Sequence, residues 1–155
     1  MKRIFIVIMM VLFLAAGVGT AFAVDPSTCV PQTKYYGKLK VITLSWVNGS
    51  GGDFTDFTTP MIDGMVYMVL TDPDGSTVPT DNYDVTLKNS NGIDIMGGKL
   101  TDRDGTNTEV ERPYILSETS FTPFPVDGAL TLAIADAGNS KVGVIKIYVY
   151  ISGGN

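Results

Sequence analysis

The sequence predicts an all-β protein: a single β-sandwich domain, jelly-roll or immunoglobulin-like, behind an N-terminal signal peptide. Three observations predict it. Short runs of alternating apolar and polar residues recur at roughly 8–12-residue spacing, the rhythm of sandwiches and barrels. Clusters of Gly, Asn, Asp and Pro, which favour turns through backbone freedom and local side-chain hydrogen bonds, separate those runs. Past residue 23 no helical period of apolar residues persists for three turns.

Residues 1–23 have the parts of an export signal. Lys2 and Arg3 supply a positive start, Ile4 to Ala16 an unbroken apolar run, and Ala21-Phe22-Ala23 a small-residue cleavage site. The apolar run is shorter than the roughly 20 residues that span a bilayer, so cleavage is expected, with no stable membrane anchor afterwards. The expected destination is the periplasm, the cell surface or the extracellular space. Residues 24–36 read as an extended lead-in, since Pro26 and Pro31 discourage regular structure. Residues 37–155 form the expected sandwich.

Within it, Lys38 to Val47 is the first strong strand, β-branched and closed by Asn48-Gly49-Ser50-Gly51-Gly52, and Trp46 shares a face with Ile42 and Leu44. Met65 to Thr71 follows and ends at Asp72-Pro73-Asp74-Gly75. Tyr83, Val85 and Leu87 alternate with Asp84, Thr86 and Lys88, and Asn89-Ser90-Asn91-Gly92 turns that strand towards Ile93 and Ile95 as a hairpin. Lys99 to Arg112 has few apolar residues and holds the turn Asp102-Arg103-Asp104-Gly105. Tyr114-Ile115-Leu116 reads as a short strand. Two prolines confine Phe121 to Val126 to an edge or an unpaired extension. Leu130 to Ala135 and Val142 to Ile151 read as a pair joined across Ala137-Gly138-Asn139-Ser140. The last strand is apolar on one face through Ile145, Ile147, Val149 and Ile151, and carries Val144, Lys146, Tyr148 and Tyr150 on the other. A strand apolar on both faces is central or covered by a partner.

Composition excludes several functions. Without the signal, nine basic residues face sixteen acidic ones, a net charge near −7 where the whole chain carries −5. Such a surface repels phosphate backbones, so no nucleic acid is expected as partner. The chain has no histidine, which removes Ser-His-Asp and Cys-His catalysis and histidine zinc sites. Its single cysteine, Cys29, cannot form an internal disulfide, leaving a free thiol or an intermolecular bridge. Glu109 and Glu111 could in principle serve as a carboxylate pair on a glycan, but two like-facing acids on a solvent-exposed strand are better explained as mere surface. The chain is therefore read as no enzyme, and no cofactor is expected. Calcium is the candidate ion: Asp72 with Asp74, and Asp102 with Asp104, each place two carboxylates two residues apart beside a glycine. Tyr148, Tyr150 and Val144 are the candidate interface, covering either a second subunit or a sugar.

A set of stretches also resembles a family of small tailed-bacteriophage proteins associated with virion structure. They are Asp63-Gly64, Pro79 to Leu87, Gly92 to Gly98, Asp102-Arg103-Asp104, Val126 to Leu132, Ala137-Gly138 and Val144 to Tyr148, together with the Leu39-to-Trp46 strand. The resemblance implies a β-sandwich accessory or structural subunit repeated in an assembly, and so a virion location. An export signal departs from that pattern, because virion proteins normally assemble in the cytoplasm. The expectation is thus a non-enzymatic, self-associating structural or interaction protein. The alternative is an exported glycan- or calcium-dependent binding module on the cell envelope.

Overall fold

The computed structural model describes residues 26–115 and 120–151; the signal peptide expected at 1–23 lies outside them. Eleven strands form the fold: β1 Thr28–Tyr36, β2 Leu39–Val47, β3 Phe57–Thr58, β4 Ile62–Pro73, β5 Asp84–Lys88, β6 Glu109–Glu111, β7 Tyr114–Ile115, β8 Ser120–Phe121, β9 Phe124–Gly128, β10 Thr131–Ala135 and β11 Val142–Tyr150. The larger sheet runs β1-β2-β11-β4-β6, with β9 also paired to β4. The smaller runs β3-β10-β5, and β7 pairs with β8. Every pairing is antiparallel. The expected β-sandwich is what the chain forms.

The core lies between the two sheets. Ile42, Leu44 and Trp46 of β2, Ile145, Ile147 and Val149 of β11, and Ile62, Val66 and Val69 of β4 meet Val85 and Leu87 of β5 and Leu132 and Ile134 of β10. Alternation carries this: one side chain in two points inward along each strand. Trp46 is fully buried, as its face with Ile42 and Leu44 predicts, and packs on Phe54 and Tyr83 with ring centroids 6.5 and 6.0 Å away. Directly opposite it in the β2–β11 register stands Gly143. A Cβ there would lie 2.7–3.0 Å from three indole atoms, so the glycine is what lets the ring lie flat across β11.

Three expectations need correction. The lead-in is not irregular: Thr28 to Tyr36 is a nine-residue strand. It hairpins onto β2 through Gly37-Lys38, with Gly37 at φ +61°, the II′ turn that suits a two-residue hairpin. In such a hairpin Tyr36 and Leu39 are hydrogen-bonded partners, so Pro31, at odd spacing from Tyr36, turns its ring nitrogen to the free edge. No ladder bond is lost there, and the proline is tolerated. Second, β10 and β11 do not pair. They lie in different sheets, because Asp136, Gly138 and Ser140 all take positive φ (59°, 88° and 52°) and throw the chain across the sandwich. Third, the Asn89–Gly92 hairpin closes by only one isolated bridge, Lys88 to Asp94, with Ile95 N–H donating to the Leu87 carbonyl.

Strand β4 holds a β-bulge. Tyr148 pairs with Met68 but Val149 with Val66, so Tyr67 has no opposite number. The inward parity therefore switches, from Ile62, Gly64 and Val66 before the bulge to Val69 and Thr71 after it. Tyr67 and Met68, adjacent in sequence, are both left half-buried.

Candidate functional site

The two outer faces of the sandwich differ in chemistry. On the smaller sheet, β5 and β10 turn Asp84, Thr86, Lys88, Thr131, Ala133 and Ala135 outward, small or polar groups that suit water. On the larger sheet the register builds rows of a different kind. Tyr36, Leu39 and Tyr150 form one; Lys34, Val41 and Tyr148 the next; Gln32, Thr43 and Lys146 the third; Val30, Ser45 and Val144 the fourth. Rows stand ~7 Å apart and each spans ~10 Å across three strands. Val41 is only 9% exposed although it faces outward, because the long side chains around it lean over its methyl groups.

This face has two halves. At the Tyr150 end of β11 and β4 it is apolar and aromatic, while further along Lys146 stands opposite Leu70 and Asp72 opposite Val144. Tyr150 meets Tyr67 edge-on at 5.6 Å, and Arg112 covers Tyr67 from the other side, its guanidinium 5.0 Å from the ring and its Nη2 donating to the phenol oxygen at 3.1 Å. The bulge in β4 sets Tyr67 and Met68 side by side at this face. Met65, directly opposite Tyr150 and exposed like it, completes that end. Over β1, β2 and β11 the face is instead a groove of about 490 Å³. Of the residues predicted for an interface, Tyr150 falls in the apolar end, Val144 stands between Ser45 and Asp72, and Tyr148 lines the groove. The placement of β11 between β2 and β4 explains its two apolar faces: it is central.

The calcium candidates are engaged otherwise. Asp74 accepts the amides of Thr77 (2.6 Å) and Ser76 (2.9 Å), which lower its pKa. Asp104 accepts the side-chain amide of Asn107 (2.8 Å), the Thr106 and Asn107 amides (2.7 and 2.9 Å) and the Thr106 hydroxyl (2.8 Å), holding its carboxyl well below the usual range. Asp72 accepts the Thr108 hydroxyl at 2.5 Å, and Asp102 sits at φ +54° with its amide on Asp84. Asp74 and Asp104 are thus turn-forming carboxylates taken up by their own loops, while Asp72 ties β4 to Thr108. Among the described residues no three His, Cys, Asp or Glu side chains are grouped to hold a metal.

Glu109 and Glu111 are not loose surface acids. Both face the buried Arg103, whose Nη1 lies 3.4 Å from Glu109 Oε2 and 3.7 Å from Glu111 Oε1. Nη1 meets no hydrogen-bond geometry at those distances. The rest of the guanidinium donates from Nε and Nη2 to the Thr101 carbonyl at 3.1 and 3.0 Å. Arg103 thereby clamps the 101–111 segment, and Tyr83 packs beneath it with its phenol pushed up to about 12, chiefly by burial. Cys29 packs against the core, and its desolvated thiol is pushed up to about 11. So little thiolate forms at neutral pH that an intermolecular disulfide is disfavoured.

Sequence reasoning missed Gln32, Lys34, Tyr36, Tyr67 and Arg112. For the first three the signal was the alternation that leads into Tyr36-Gly37-Lys38, a hairpin with a glycine turn. No helix among the described residues is long and apolar enough to cross a membrane. Comparison with protein-family models, curated proteins and solved structures gives no match.

Proposed function

We propose that this protein is a non-enzymatic structural or interaction subunit that associates with further copies of itself, in the manner the bacteriophage-protein resemblance implies, and that acts outside the cytoplasm. The contrast between the two outer faces carries this reading. The smaller sheet turns threonine, lysine, aspartate and alanine to solvent, while the larger sheet brings Tyr150, Tyr67 and Met65 together, with Met68 opposite Tyr148 beside them. Tyrosine and methionine gathered on a flat sheet face are the composition of a contact surface, and contiguous exposed apolar patches on a soluble domain mark interaction sites. A twofold contact would set each patch against its copy.

Size-exclusion chromatography with light scattering tests it. The mass is expected to rise to a fixed multiple of the chain as concentration increases, and Tyr150→Lys, a half-exposed position that leaves the core intact, is expected to restore the monomer. A strictly monomeric wild-type protein at several hundred micromolar would overturn the reading.

A further inference from the structure

We propose that the groove over β1, β2 and β11 binds an acidic polysaccharide, a use of the larger sheet separate from self-association. Its walls are Gln32, Lys34, Tyr36, Thr43, Lys146 and Tyr148, and its floor is Leu39 and Val41. Neither Asp nor Glu lines it, in a chain where acids outnumber bases by sixteen to eleven. The ion pairs among the described residues belong to Arg103, so the ammonium groups of Lys34 and Lys146 have no carboxylate partner among them. Two lysines in a groove that no carboxylate lines are complementary to an anion.

The layout restricts the anion further. In the register Lys34 shares a row with Tyr148, and Lys146 lies one row on, beside Thr43 and Gln32. The two lysines therefore stand on opposite sides of the groove, one row apart, with a Cα separation on the order of 12 Å. That spacing suits charges repeated along a chain better than a single small ion. Tyr36, 63% exposed, stands on the Lys34 side and Tyr148 on the Lys146 side, so each lysine has an aromatic neighbour two residues along its own strand. Tyrosine rings give the apolar faces of pyranose rings a surface to stack on, and the Gln32 amide and Thr43 hydroxyl can exchange hydrogen bonds with sugar hydroxyls. The groove is open along the sheet and its volume falls within the usual range of ligand sites. An anionic polypeptide would satisfy the lysines but leave the paired tyrosines without a matching surface.

Calorimetry on the full-length protein as expressed, with polygalacturonate and heparin as carboxylate and sulfate probes, tests the site. Dextran is the neutral control and poly-glutamate the non-sugar anion. One or both acidic sugars are expected to bind, weakening as salt rises, with dextran and poly-glutamate at least about tenfold weaker. Lys34→Gln combined with Lys146→Gln is expected to cost about tenfold or more in affinity, and Tyr148→Ala a comparable loss. Lys88→Gln, on the outer face of the other sheet, should change nothing. Unaltered Trp46 fluorescence establishes that each variant is folded. Binding should persist in Tyr150→Lys, so failure of self-association and failure of this site are separable. Absence of binding to both acidic sugars, equal binding of poly-glutamate, or full affinity in the double lysine variant would each overturn the proposal.

Discussion

Gly143 shows how one residue without a side chain decides the packing of the largest one. Glycine normally weakens a strand, and replacing it with alanine gains up to about 1 kcal/mol in backbone terms. Here the new methyl would press on an indole that Phe54 and Tyr83 already hold in place, and overpacking of that kind costs about 1–3 kcal/mol. The clash wins, so Gly143→Ala is expected to lower the thermal midpoint by several degrees, read by calorimetry. Tyr83 makes a pH prediction. Its phenol ionises near 10 in the unfolded chain and near 12 when folded, so the unfolded state releases its proton first as pH rises. The stability tied to that group is complete below pH 10 and is lost between about pH 10 and 12, on the order of 2–3 kcal/mol. Tyr83→Phe should flatten that alkaline limb in denaturant titrations followed by circular dichroism. Both residues were legible in part: the sequence places Trp46 and Tyr83 inward by alternation. That Gly143 faces Trp46 depends on which strands pair, which no local pattern encodes.

At the level of elements, the long strands from β2 onward were readable and their partners were not. After β2 the chain repeatedly crosses from one sheet to the other, so β10 and β11, neighbours in sequence with a turn between them, belong to opposite layers. The turn residues explain the crossing, since three positive-φ positions within Asp136–Ser140 do not make a tight hairpin. Strand β4 hid its bulge for another reason. Met65 to Leu70 is apolar at every position, so the switch of inward parity at Tyr67 leaves no mark on the pattern. Strand β1 was missed because Pro26 and Pro31 argue against regular structure, while an edge strand tolerates a proline whose nitrogen faces outward. That edge is long, and its side chains are exposed on both faces apart from Cys29, so Pro31 also acts as its guard. Pro31→Val restores an N–H donor and adds a β-former. It is expected to leave the unfolding midpoint nearly unchanged, yet to produce a higher-mass species than wild type in light scattering at the same concentration. Equal masses for the two proteins would show that the proline guards nothing.

For the whole molecule, the sandwich was legible because strand rhythm and turn chemistry agree along its length. The candidate surface was legible only on β11. Tyr148, Tyr150 and Val144 announce an outward stripe there, but the face becomes a patch and a groove only when β1, β2 and β4 are laid beside it. The aspartate motifs show the converse. They are conspicuous in the sequence, yet Asp74 and Asp104 are taken up within the folded turns as acceptors for neighbouring amides. The central claim is that the outer face of the larger sheet is where copies meet. Hydroxyl-radical footprinting with mass spectrometry, run across protein concentration, reads it side by side at two methionines of one chain. Met65 lies in the patch, and Met61, 67% exposed, immediately precedes β4 beside Tyr35 and Lys40. Oxidation of Met65 and Tyr150 is expected to fall as concentration rises while Met61 and Tyr35 stay fully reactive; unchanged labelling at Met65 and Tyr150 across the range would contradict the claim.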